Sequence, residues 1–436
     1  MTGLLLSLVV AATPITLEEA RREARNNLQA LTAELTWRQQ YEQVAISRGQ
    51  LLPQLAIGAT ASRTWNTVTE PRTVIIQGQP VNAGGPANAV NNFSLGATLN
   101  QVLIDAGRWF TLKQQGQLEE AQKGLAEDQE EASEFEAIRR FYALFTAQRN
   151  SAVLQETARK SKELAERADA LYEAGKGSKG DALAAHVNYG TDLNNYIQQG
   201  LSLGQAQIDL ATWIGRSEIE ELVAVEPANV GQPAPVPTFD QAVATAKTER
   251  AILRAYAAQV RAAESNVTVQ QSVLFPRLNG TAFWNHSSEK PGTAFTDLSV
   301  NNTFFAGLTL SWTIFDGMST FAASRQAQEQ VTTTKITYGQ SERDVRGQIL
   351  YDIGAIQNQI QALSVITENR ETAARNLDYY QERFKAGAAN TLDVRDAQLK
   401  LLNAELSLAQ TRATLEVARA ALERAMGTLG NNGAKP

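Results

Sequence analysis

Cysteine is absent from this chain of 436 residues. That excludes disulfides, thiolate metal sites and a lipid-bearing cysteine near the N-terminus. Histidine is nearly absent too. His186 and His286 stand 100 residues apart with no ligand-like spacing around them. Only 3 methionines occur, so nothing supports a soft-metal route, and neither metal nor cofactor is expected. The net charge is −6 and no basic block is present, which argues against nucleic acid as a partner. No apolar run reaches 18 residues, so no transmembrane helix is indicated. No nucleophile–base pair, ligand spacing or phosphate loop can be found, so an envelope hydrolase has no support and the chain reads as a non-enzyme.

Proline is missing where it would matter most. None of the 12 prolines lies in 87–226 or 292–435. Proline breaks helix interiors, so two stretches of about 140 residues are free to be helical. Within them, 107–172 and 319–384 carry no obvious stop. A helix of about 65 residues would be roughly 100 Å long, which points to coiled-coil-like packing. The returning segment shows that packing. Val394, Leu401, Leu408, Leu415 and Leu422 recur every seven residues, and Ala397, Ala404, Thr411, Ala418 and Ala425 follow three positions after each. A second apolar row, Leu399, Leu402, Leu406, Ala409, Ala413 and Ala420, lies on another face. Two seams mean neighbours on two sides, as in a closed ring of helices. Ala182, Tyr189, Tyr196, Leu203 and Leu210 repeat the seam in the first half.

The two halves share one plan with a period of about 212 residues. ITLEEA (15–20) matches PTFDQA (237–242), and LLPQL (51–55) matches LFPRL (274–278). GATLNQVLIDAG (96–107) matches GLTLSWTIFDGM (307–318), AGKGSKGDA (174–182) matches AGAANTLDV (386–394), and TWIG (212–215) matches RAMG (424–427). Five weak matches in one order indicate duplication.

Ahead of each long helix the period changes to two. Leu55, Ile57, Ala59 and Ala61 alternate with Ala56, Gly58, Thr60 and Ser62. Similar alternation runs through 93–100, 278–284 and 304–313. One apolar face and one small polar face over about ten residues is the signature of membrane β-barrel strands. Trp65, Trp109, Trp284 and Trp312 lie near the expected strand ends, where interfacial aromatics belong. Loops at about 66–92 and 286–302, rich in Gly, Pro, Asn and Thr, join each strand pair and read as the outer loops. Asp105 and Asp316 are expected to cap the long helices. Four strands cannot close a barrel, and an open edge is not viable in lipid, so several chains must contribute to one barrel.

The expected organisation is a signal peptide at 1–12, where Leu4–Val10 forms a short apolar core before small residues. A first repeat follows at 13–214, with strands about 54–65 and 92–104 and helices about 106–174 and 181–214. After a linker at 215–237 comes a second repeat at 238–429, with strands about 277–286 and 302–315 and helices about 317–386 and 391–428. Residues 430–436 form a flexible tail.

From about Ile15 to Gly427 the chain resembles the TolC family of outer-membrane exit ducts. The resemblance rests on the duplication, the strand–loop–strand insertions, Pro53 and Pro276 before each hairpin, the Asp–Gly junctions and the tip motif AGAANTLDVRDAQ. It implies an α+β fold: a trimer with four strands per chain and twelve in the barrel, continued by a periplasmic α-helical barrel. It implies an equatorial belt from 215–237 and the C-terminus. It implies no enzymatic activity, a place in the outer membrane with a large periplasmic part, and partnership with a periplasmic adaptor (membrane fusion) protein and an inner-membrane transporter, in drug efflux or type I protein secretion. In such ducts a Gly-x5-Asp-x2-Asp pattern lies at the periplasmic tip, where carboxylate rings constrict the tunnel. Carried over by position, these are Gly387, Asp393 and Asp396, with Gly175 and Asp181 in the first half. The tip turns that would meet an adaptor are then Gly175, Lys176 and Gly177, and Gly387, Ala388 and Ala389. Some members carry an arginine where this chain has Ala389; Lys176 and Lys179 are the basic residues of the other turn.

For Asp181 and Asp393, helix capping is an equally good account, since Ser178-x-x-Asp181 and Asn390-x-x-Asp393 resemble capping boxes. Asp396 lies one turn further on, about 60° from Asp393 around the helix, while Arg395 points away from both. A competing function is a periplasmic coiled-coil scaffold or adaptor without a barrel, which accounts for the heptads but not for the four matched strands.

Overall fold

The computed structural model describes residues 13–67, 72–83, 87–216, 221–232 and 234–430. The expected signal peptide at 1–12 and nearly all of the expected tail lie outside the described residues. In chain order the elements are β1 (Thr13–Ile15), α1 (Leu17–Ala24), α2 (Leu28–Gly49), β2 (Gln54–Asn66), β3 (Arg72–Ile76), β4 (Gln79–Ala83), β5 (Asn88–Ile104), α3 (Ala106–Glu173) and α4 (Lys179–Trp213). There follow β6 (Leu222–Ala224), α5 (Phe239–Glu249), α6 (Ala251–Gln271), β7 (Arg277–Ser288), α7 (Pro291–Thr296), β8 (Asn302–Ser311), α8 (Ser319–Lys385) and α9 (Thr391–Met426). No described helix is long and apolar enough to cross a membrane.

The chain forms two compact units. The first comprises Met1–Arg38, Glu120–Ala257 and Ile336–Pro436. Its largest core gathers Phe141, Leu144 and Phe145 of α3 with Leu210 of α4, Ile15, Leu222 and Leu429. A second joins Ile349, Ile353 and Ile356 of α8 to Leu415 and Leu422 of α9 and Val243 of α5. Toward the tip of the first hairpin the packing residues shrink to alanine, while the second keeps larger ones. Ala165 and Ala168 of α3 meet Ala182 and Ala185 of α4, and Leu377 of α8 meets Val394 and Ala397 of α9. Small side chains let paired helices approach closely, as in a coiled-coil seam. Both ends of the described residues are fastened to this unit. β1 pairs in parallel with β6. Glu134, 1 % exposed, accepts from Arg21 and Arg25, and those arginines also donate to the carbonyls of Leu429 and Gly430. The buried charge is thereby paired twice, as its desolvation requires. Other apolar residues stand on the surface of the single chain. Leu183, Val187, Ile197 and Leu201 of α4 are exposed, as are Leu350, Tyr351 and Val365 of α8.

The second unit comprises Gln39–Glu119 and Ala258–Lys335. It holds a four-stranded antiparallel sheet of order β2-β5-β7-β8, together with helix segments tied by Gln40–Gln115 and Lys335–Glu264 contacts of 2.7 Å. Pro53 and Pro276 directly precede β2 and β7, where a missing N–H disturbs no ladder. The register sorts the side chains into two faces. Ile57, Ala97, Trp284 and Phe304 stand in one row and Leu55, Leu99, Ala282 and Ala306 in the next, so one face is apolar. The other carries Thr60, Ser62, Ser94, Thr98, Asn100, Thr281 and Asn285. The Thr281 hydroxyl donates to the Asn100 side chain at 3.1 Å, across two strands of that polar face. β2 and β8 are the edges, and every residue of β2 is exposed.

Four local expectations differ from the structure. The segment read as a loop at 66–92 contains a hairpin, β3–β4, turned at Gln77 and Gly78 with φ 50° and 79°. Its alternation flanks a glycine turn, a hairpin signal too short to stand out. The 286–302 loop contains α7. β7 runs on to Ser288, which leaves Trp284 inside the strand, donating to Asn302 at 2.9 Å. β8 stops at Ser311 rather than near 315, because the chain turns at Gly317 and Met318 (φ 69° and 70°) before α8 begins. Asp316 still caps that helix. It accepts from the Thr320 amide at 2.9 Å and from the Ser319 and Thr320 hydroxyls. These bonds pull its carboxyl down to about 2.

Candidate functional site at the helix tips

α3 and α4 are joined by a turn through Gly175, and α8 and α9 by a turn through Gly387, both with positive φ, at 68° and 73°. A non-glycine residue would be strained at either position. The amide of Lys176 closes on Leu171 and that of Ala388 on Arg383, each at 2.8 Å, as in a helix-ending Schellman turn. Arg383 adds a side-chain bond to the Ala388 carbonyl at 2.8 Å.

The three aspartates occupy different settings. Asp393 belongs to a full capping box. Its amide donates to Asn390 Oδ1 at 2.9 Å and its carboxylate accepts from the Asn390 amide at 3.1 Å. Asp181 accepts from the Ser178 hydroxyl at 2.7 Å, and its amide donates back to Ser178 Oγ at 3.1 Å. Its other oxygen accepts from Thr391 Oγ1 at 3.3 Å, so Asp181 also joins the first hairpin to the second. Asp396 caps nothing. It is largely exposed and pairs with Lys400 Nζ at 2.6 Å one turn on, which raises the Lys400 ammonium above its usual range. An exposed pair of this kind holds a carboxylate weakly. Lys176, Gly177 and Ala389 lie in the turns; Lys176 and Gly177 are exposed and Ala389 is partly so.

Sequence reasoning missed the strongest tie at the tips. Arg395 of α9 reaches across to Asp192 of α4, with Nη1 and Nη2 of the guanidinium donating, at 2.5 and 2.8 Å. The pair is buried, with side-chain exposures of 11 % and 1 %. Ser161 of α3 also donates to Asp192. One fork-shaped pair thus connects the two hairpins of a single chain. A signal was present in the sequence. Asp192 stands three residues after Tyr189, a seam position that Ala404 fills in the second repeat. An acid in an apolar seam demands a cation. Arg395, in the second turn of α9, is that cation. Near by, the Arg167 guanidinium lies 5.8 Å from the Phe384 ring, a further contact between the hairpins, from α3 to α8.

No group of three or more His, Cys, Asp or Glu side chains able to hold a metal ion occurs among the described residues. His186 pairs with Asp169 at 2.7 Å on the surface of the first hairpin. What the tips offer chemically is exposed carboxylate, at Asp396 above all, next to a buried ion pair.

Comparison with known proteins agrees with this architecture. The chain is 25 % identical over 387 residues to the outer membrane efflux protein BepC of Brucella suis biovar 1 (strain 1330), covering 87 % of this chain and 77 % of that protein. Its fold is similar to the CmeC outer membrane channel of Campylobacter jejuni, with a TM-score of 0.77, 17 % identity and coverage of 95 % and 86 % of the two chains. The open state of the MtrE outer membrane channel of Neisseria gonorrhoeae gives a TM-score of 0.77 at 18 % identity, covering 95 % and 89 %. The family model for outer membrane efflux proteins matches residues 17–216 and 242–428, and the chain belongs to that family.

Proposed function

We propose that three copies of this chain form a passive outer-membrane exit duct with an aspartate-lined gate at the periplasmic helix tips. The observation that carries this reading is the four-stranded sheet. It has one apolar face, one polar face and two unpaired edges. In lipid an unpaired edge leaves amides and carbonyls unsatisfied. Because the strands alternate in direction, β8 of one copy meets β2 of the next in antiparallel sense. Three copies give a closed barrel of twelve strands with the apolar face to lipid and the polar face to water. The exposed apolar rows of α4 and α8 supply a matching reason for the helices to associate. A helical scaffold without a barrel leaves the apolar sheet face unexplained. No catalytic step is assigned to the chain.

Within the trimer Asp393 and Asp396 would stand around one axis, joined by Asp181 from the first hairpin. Close carboxylates favour cations and hinder anions. The exposed turns at Gly175–Gly177 and Gly387–Ala389 would receive a periplasmic adaptor, which links the duct to an inner-membrane transporter. In planar bilayers the protein should conduct with cation preference. Asp393→Ala combined with Asp396→Ala should lose most of that preference while remaining trimeric. Unchanged selectivity in the double variant would refute the gate.

A further inference from the structure

The polar face of the sheet departs from its own chemistry at one place. Phe283 of β7 and Phe305 of β8 are the only aromatic side chains on it among the described residues. They are directly opposed in the register, with ring centroids 5.0 Å apart and planes 21° apart. Around them stand Thr98, Thr281, Asn285 and Thr303. The Phe305 ring lies over Gly307. A methyl group added there would come within 2.7 Å of the ring, so glycine is what lets the ring lie down against the sheet. Covering a glycine accounts for one ring. It does not account for the second, nor for the exposure of Phe305, 49 % in the single chain, where β8 is an unpaired edge. Water alone does not favour bare aromatic surface on a face otherwise made of small polar groups.

We propose that the Phe283–Phe305 pair is a stacking site for planar aromatic solutes in transit, planar aromatic cations above all. The inference rests on the reading that the polar face lines the lumen of a trimeric barrel, in which the site occurs three times. Stacking on an aromatic side chain tolerates varied partners because it uses the π face, and the ring quadrupole adds attraction for a cation. Twelve strands about 4.8 Å apart and tilted about 40° enclose a barrel roughly 24 Å across between backbones. Rings on that wall can touch a passing solute without blocking the way.

The test is single-channel recording of the full-length protein in planar bilayers, with proflavine as planar aromatic cation and tetraethylammonium as aliphatic control. Wild type should show proflavine blocks lasting at least about five-fold longer than tetraethylammonium blocks. Phe283→Leu plus Phe305→Leu keeps apolar cover over Gly307 and should erase the difference with open conductance unchanged. Phe283→Leu alone, the milder change, should reduce it. Equal block times in wild type, or an undiminished difference in either variant, overturn the stacking site while leaving the duct intact. Absence of any conductance in wild type overturns the duct, and the site with it.

Discussion

Removing the Arg395 guanidinium is the perturbation with the largest expected consequence at the tips. In Arg395→Met, Asp192 keeps only the Ser161 hydroxyl while remaining 1 % exposed. Stranding one member of a buried pair typically costs about 3–5 kcal/mol. If the pair is what holds the hairpins together, that energy appears as a local opening, roughly 10²- to 4 × 10³-fold more populated than in wild type. Amide exchange measured by mass spectrometry should accelerate by that factor in the first turns of α4 and α9, with little change around Phe141 and Leu415. Basal conductance in bilayers should rise in parallel. Asp192→Ala should be milder, because a long arginine stem can carry its charge out to water. Combining Asp192→Ala with Arg395→Met removes both charges and should recover most of the wild-type protection. Unaltered exchange at the tips in Arg395→Met, or a double variant as open as the single, would refute the tie.

Two further predictions concern stability. Gly427 (φ 74°) ends α9 with its missing side chain 2.6 Å from the Arg250 backbone, whereas Gly175 has open space around it. Gly175→Ala should therefore cost only the left-handed strain of about 1–2 kcal/mol, while Gly427→Ala should cost clearly more; thermal dissociation of the detergent-solubilised assembly compares them. Burial pushes the Glu131 carboxyl up to about 7, against the pull of Arg250. The folded state then holds a proton that the unfolded state has released, so stability should fall as pH rises from about 4.5 to 7. Glu131→Gln should flatten that slope in denaturation midpoints, and an unchanged slope would show that Glu131 is not its source.

The sequence made the periods legible. Alternation at 278–284 lies within β7, and Leu415 and Leu422 of the heptad row are buried in α9. Both follow from repeating patterns that one face of an element imposes on its own residues. Pairings between elements were less visible. Helix geometry points Arg395 away from Asp393 and Asp396, yet its partner lies 203 positions earlier, and no local period joins them. Likewise Asp181 is both a cap and an acceptor for Thr391, and only the three-dimensional neighbourhood adds the second role. The hairpin β3–β4 was hidden because five-residue strands carry too few alternations to stand apart from a polar loop.

The central claim is that three chains close one barrel by pairing β8 of each copy with β2 of the next. The chain has no native cysteine, so introduced thiols report without background. Thr60→Cys in β2, combined in turn with Thr303→Cys, Phe305→Cys and Thr309→Cys in β8, samples the registers available to the two edges. Oxidation of the membrane-inserted protein should give, for at least one pair, linked species of two and three copies and nothing larger. Products that stop at two, extend beyond three, or fail to form for every pair would contradict it.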